Sequence, residues 1–211
     1  MSIRMGRFKC PCCGCGFSAA AATGFYSGGG RGLDMNPRVP ELEDIVLMCP
    51  GCGYASADMD EAVTDEVRAC VASEGYRSLR SGISENEAVT RAYLAARLLV
   101  LRSEPERAAE TFLLGHWCAQ NSGLESDPCL AGAIEQFSLC LEGKEDAGAA
   151  AVLIDCMRQA GRFAEAAENA EKLLRTAEGE RLAGLLEFEL SLIGRRDSGA
   201  HGMDEVPHEI L

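Results

Sequence analysis

Two short segments constrain this chain more than any other part of it: Cys10-Pro11-Cys12-Cys13-Gly14-Cys15-Gly16 and, further along, Cys49-Pro50-Gly51-Cys52-Gly53-Tyr54. Each offers two thiols separated by two residues, a spacing that lets both sulfurs reach one tetrahedral ion. Two such pairs complete a four-sulfur zinc site with every coordination position filled by protein, so none is left for water or substrate. Cys10/Cys13 and Cys49/Cys52 share the form Cys-Pro-x-Cys-Gly and are the expected ligands. Cys12 and Cys15 are alternates, since Cys15 is also followed by a glycine that permits a tight turn. The expected cofactor is Zn2+, in a role that folds the chain. A redox dithiol at Cys12 to Cys15 would call for a βαβ pattern, which the flanking sequence lacks.

The 211 residues suffice for one ordinary domain and a small one. Alanine and leucine carry the apolar content while aromatics make up only 6%, a balance that favours helices over sheets. The basic residues near Met1 run straight into cysteines with no apolar stretch behind them, and no segment is apolar enough to span a bilayer. The expectation is a cytoplasmic protein with no membrane contact, whose 11 cysteines serve as metal ligands and buried thiols. The net charge of −13 is unevenly spread. Residues 1–56 hold five bases and four acids, leaving 15 bases against 29 acids in the remainder. That later part repels phosphate backbones and suits a basic peptide.

Residues 1–56 read as a zinc-ribbon domain. Ile45 to Met48 is a candidate strand delivering Cys49, and Phe17 and Tyr54 are placed to cover the metal. Gly28 to Gly32 reads as a plain loop, because the following Asp34 to Pro40 opens no helix. Residues 57–194 read as helices: one capped at Asp58, a linker from Ser73 to Ser84, then a tight hairpin hinged near Ser103-Glu104-Pro105. A helix entered at Asp127-Pro128 and stopped at Gly143 follows, then a pair turning at Gly161-Arg162-Phe163, and a last helix from Gly179 to Ile193. Residues 195–211 read as a flexible tail. Cys70, Cys118, Cys129, Cys140 and Cys156 lie on or beside apolar stripes as small hydrophobes, and His116 reads as a core or rim histidine.

Residues 150–174, with Leu153, Gly161, Phe163 and Ala166 at the matching positions, resemble a tetratricopeptide repeat. Residues 8–175 as a whole, from Phe8-Lys9-Cys10-Pro11 through Cys49-Pro50-Gly51-Cys52-Gly53-Tyr54 to the helical hairpins, resemble the bacterial family called domain of unknown function 2225. The resemblance implies architecture and no activity. The expected fold is therefore mainly α, tetratricopeptide-like hairpins behind a small N-terminal β zinc ribbon. The expected function is that of a non-catalytic zinc-binding protein acting as an interaction or scaffold module. Asp155, Arg158 and Gln159 would present a surface to a protein or basic peptide partner. Two alternatives stand beside it: a nucleic-acid-binding ribbon using Arg4, Arg7, Lys9, Arg31 and Arg38, and a metal-dependent enzyme built around Asp34, Glu41, Glu43 and Asp44.

Overall fold

The computed structural model describes residues 3–22, 30–124 and 127–207. Gly28 and Gly29 of the expected loop, the Asp127 cap side chain and the last residues of the tail lie outside the described residues. The chain is mainly α with a small β region near its N-terminus. It divides into two compact units, one of Met1–Ser27 and Val39–Gly132, the other of Gly28–Arg38 and Ala133–Leu211.

The first unit opens with two antiparallel strands, β1 (Ile3–Lys9) and β2 (Gly16–Ala22), in register from Ile3 opposite Ala22 to Lys9 opposite Gly16. The alternation of a strand turns Phe8, Phe17, Ala19 and Ala21 to one face, where they pack on the core, with the two rings 5.7 Å apart. A second small pair, β3 (Leu47–Met48) and β4 (Ala55–Ser56), is also antiparallel. The strand expected over Ile45 to Met48 is thus confined to its last two residues. Pro40–Asp44, just before it, forms a 3-10 turn with proline at its start, where a missing N–H costs nothing.

The first helix, α1 (Asp65–Ala72), begins later than Asp58: Thr64 caps it by accepting from the Val67 N–H. Asp58 instead accepts the Asp60 N–H in a local turn at 2.8 Å. The expected linker after Ser73 contains α2 (Glu74–Leu79), capped by Ser73 and burying Tyr76. The long helices α3 (Glu87–Leu101) and α4 (Pro105–Asn121) then pack along each other. Only three residues join them, so they form an antiparallel hairpin. Gly115 of α4 lets this hairpin take in Cys129, whose Sγ would sit 2.7 Å from an added Cβ.

One continuous buried cluster runs from Cys10, Leu42, Val46, Leu47, Cys49 and Tyr54 through Val67, Val71 and Tyr76 to Val89, Leu94, Leu98, Leu114 and Cys129. The ribbon and the first helices therefore share a core, and the chain's compact units do not divide at residue 56. The helix α5 (Asp127–Leu141) starts in this unit and ends in the next.

In the second unit, α6 (Ala147–Gln159) and α7 (Phe163–Leu174) pack together across a turn in which Gly161 has φ +72°, a left-handed conformation suited to glycine. The expected last helix is split into α8 (Ala177–Glu180) and α9 (Ala183–Gly194), both packed on α7. Gly179 makes this possible, since a Cβ there would lie 1.8 Å from the Leu173 carbonyl oxygen. As far as the described residues go, to Pro207, the segment after Arg195 is held in place and is not frayed. Gly202 bridges Gly32, the Leu33 N–H donates to the His201 carbonyl, and Leu33, Leu192 and Val206 form a small buried cluster.

Candidate metal centre

The two cysteine segments fold as the turns of the two strand pairs, and they repeat one hydrogen-bond plan. In the first, the Cys10 N–H donates to the Cys15 carbonyl and the Gly14 N–H to the Cys10 carbonyl, both at 2.8 Å. In the second, Cys49 N–H donates to the Tyr54 carbonyl and Gly53 N–H to the Cys49 carbonyl, again both at 2.8 Å. Gly14 and Gly53, with φ of +76° and +83°, supply the left-handed turn in each. Position by position, Cys10 and Cys13 correspond to Cys49 and Cys52, whereas Cys12 corresponds to Gly51 and Cys15 to Tyr54.

This pairing brings four sulfurs together. The Sγ atoms of Cys10, Cys13, Cys49 and Cys52 all lie within 4.8 Å of one another and could hold a metal ion. Cys10 lies 3.7 Å from Cys52, and Cys13 the same distance from Cys49. For tetrahedral zinc with its usual metal–sulfur bond, the sulfur–sulfur edge is about 3.8 Å. The four residues thus fit the ion in both donor chemistry and spacing.

The electrostatics point the same way. Burial pushes the Cys10 thiol up to about 11, against the pull of the backbone N–H groups of Cys13 and Cys12. Burial also raises Cys52, further assisted by the neighbouring Cys13 and Cys10. At Cys49 burial is overcome by the backbone N–H groups of Cys52 and Gly51 and by the Cys10 and Cys13 thiols, which together bring it down to about 7. Cys49 is thus the readiest of the group to ionise, while Cys10 and Cys52 resist a further charge. A divalent cation removes that conflict by meeting the thiolates directly.

The surroundings hold the second knuckle in place. Tyr54 is buried, as expected for a covering ring, and Phe17 packs on the core. Tyr76 was hidden in the sequence, yet its buried hydroxyl donates to the Gly53 carbonyl at 3.1 Å and braces the knuckle turn. Arg68 of α1 donates to the Cys12 carbonyl and so ties the first knuckle to the helices. A serine cap three residues before a tyrosine was the available signal for α2, but six residues are too few to show helical periodicity.

The other candidate residues scatter. Asp34 is a buried turn residue of the second unit whose Oδ1 accepts the Asn36 N–H at 3.0 Å. Glu43, on the 3-10 turn, accepts from Asn86 at the start of α3. Arg4, Arg7 and Lys9 are exposed on β1. Cys118, Cys129 and Cys156 are buried thiols, and burial pushes the first two up to about 12. His116 is buried in α4, its Nε2 2.8 Å from Gln120 Nε2.

The expected partner surface on α6 requires correction. Asp155 and Arg158 are 1% and 0% exposed. Arg158 pairs with Asp155, donates to Glu189 of α9 at 2.9 Å, and donates to the Asp197 and Gly199 carbonyls at 2.7 and 2.8 Å. Gln159 donates to the second Asp155 oxygen at 2.7 Å. A guanidinium with so many fixed partners can be buried, and here it fastens the chain after α9 to α6. Asp155 and Arg158 are an internal clamp and form no docking face, while Gln159 is half-buried beside them.

No family model matches the chain, and none of the curated proteins or solved structures compared with it is similar.

Proposed function

We propose that the chain is a zinc protein whose Cys10, Cys13, Cys49 and Cys52 hold one structural Zn2+, and that it works as a non-catalytic protein-binding module. The observation that carries the metal reading is the pair of 3.7 Å sulfur contacts linking the two knuckles, which matches the edge of a tetrahedral four-thiolate site. When bound, the ion would cross-link two turns that the backbone already orders in the same way. Cys10 and Cys49 would anchor it from the buried side, and Tyr76 would keep the second turn in position.

The module reading is supported by surface chemistry. Residues beyond 56 carry 29 acids against 15 bases, and α7 shows Glu165, Glu168 and Glu171 to solvent, a field suited to a basic partner segment. The exposed Arg4, Arg7 and Lys9 on β1 favour a second reading, nucleic-acid binding by the ribbon. Both Phe8 and Phe17 are half-buried against the core, however, and so are less open for single-stranded nucleic acid to stack upon. Metal analysis of the purified chain tests the first part, with one zinc per chain expected. Titration with a lysine-rich peptide and with single-stranded oligonucleotide tests the second. Saturable peptide binding supports the module, and tight salt-sensitive oligonucleotide binding replaces it with the nucleic-acid reading.

A further inference from the structure

A cavity of about 250 Å³ lies between β4, α1, α3 and α4, wholly within the first unit. Its floor is buried and apolar, with Val46, Val67, Leu98 and Leu114 among the residues that line it. An apolar cavity of about 150 Å³ is enough for a benzene ring, so this one has room for a large aromatic or aliphatic side chain. Such walls offer water few partners, and an apolar group gains by entering. The charges at the mouth do not cancel. Glu61 pairs with both Arg102 and Arg107, and Glu104 pairs with the same two arginines. Both cations are thereby matched, whereas Glu110, which also lines the cavity, is exposed and takes part in no ion pair among the described residues. Glu106, exposed one turn earlier on α4, shares that face.

We infer that this cavity is the anchor pocket for a basic segment of a partner protein. One large apolar side chain of that segment inserts over Val46, Val67, Leu98 and Leu114, and a lysine or arginine next to it meets Glu110. The inference rests on the reading of the chain as a module for a basic partner, and it names the docking place. Charge complementarity selects this occupant. An acidic segment would have to displace Glu61, which already fills the Arg107 fork with both carboxylate oxygens at 2.9 and 3.1 Å. A basic segment finds Glu110 unmatched. The lining hydroxyls are spoken for, since Thr111 donates to the Arg107 carbonyl at 2.7 Å and Ser56 to the Asp58 carbonyl at 2.8 Å. Recognition therefore comes down to one apolar anchor and one cation beside it, a buried centre with a charged rim.

The test compares two short lysine-rich peptides on the full chain by fluorescence anisotropy, identical except that one carries a single phenylalanine where the other has alanine. The phenylalanine peptide should bind about tenfold tighter or more, because its ring leaves water. A photoreactive benzophenone in place of that ring should cross-link the unaltered chain at Ile45, Val63 or Thr111, which line the cavity and are only half-buried. Glu110→Lys should weaken both peptides about threefold to fivefold at low salt and less at high salt. Val63→Trp should fill the cavity and erase the preference for phenylalanine, with the melting temperature little changed. Equal affinity for the two peptides overturns the inference and leaves the module reading standing, as do cross-links confined to α7. Binding of neither peptide sinks the module reading and the inference together. Displacement of the peptide by equimolar phenylalanine amide would overturn the inference in favour of a small-molecule site, and a dimer that Val63→Trp dissociates would make a second copy the occupant. The peptide pair and the cross-linking use the unaltered chain, so they decide the matter even where a variant fails to fold.

Discussion

The two compact units face the same structural problem and meet it with different chemistry. Each must order a stretch with few large apolar residues, the knuckles in the first unit and the Gly30–Arg38 and Arg195–Pro207 segments in the second. The first gathers four thiols from two sequence-distant turns around a site for an external cation. The second uses a cation of its own, the Arg158 guanidinium, buried among Asp155, Glu189 and the Asp197 and Gly199 carbonyls. A metal ligand set shows itself by spacing because its residues are chemically specialised. A buried arginine clamp does not, because its parts are ordinary surface residue types.

If this contrast holds, removing the metal should produce the largest effect, and it should be confined to one unit. Structural zinc contributes on the order of 10 kcal/mol to small domains. Chelation should therefore unfold the knuckles and, through the shared core, expose the amides of α1 to α4. Hydrogen exchange should still find α6, α7 and α9 protected; equal loss in both units would break the contrast. Next in size is Arg158→Ala, which leaves the Asp155 and Glu189 carboxyls buried without their cation and should cost about 3–5 kcal/mol. Thermal unfolding should locate that loss in the second unit, with zinc content unchanged.

The pH dependence should differ in sign between the units. Hydrogen bonds from Arg107 and Arg102 hold Glu61 of the first unit down at about 2, against its usual 4.5. Its stabilisation is in place above about 4.5 and is lost as pH falls toward 2. Burial and the adjacent Asp155 push Glu189 up to about 9, despite Arg158. The folded second unit thus holds a proton that the unfolded chain has released, and stability falls as pH rises from about 4.5 to about 9. Glu61→Gln and Glu189→Gln should flatten the respective slopes, as read by denaturant midpoints at several pH values.

Smaller effects sharpen the picture around the knuckles. Gly53→Ala forces a side chain into a left-handed conformation and should cost about 1–2 kcal/mol. Tyr76→Phe removes the hydroxyl bracing Gly53 and should cost about 1 kcal/mol, with faster zinc exchange.

The knuckles could be read from the sequence because Cys-Pro-x-Cys-Gly states both the ligands and the turn. The helices α3, α4, α6 and α7 could be read from apolar periodicity over a dozen or more residues. The strand β2 could not, since Ala19 to Ala22 has little β preference of its own; its pairing with β1 and the inward Phe8 and Phe17 make it a strand. Asp155, Arg158 and Gln159 looked like a solvent face because polarity marks a surface only when the partners are unknown. Glu189 and the Asp197 and Gly199 carbonyls lie some thirty to forty residues away, and no local pattern announces them.

The central claim, one zinc ion held by two quasi-equivalent knuckles, is tested most directly by zinc K-edge X-ray absorption on the purified reduced chain. The account predicts a single shell of four sulfur atoms at about 2.3 Å. A shell containing nitrogen or oxygen, or fewer than four sulfurs, would contradict it.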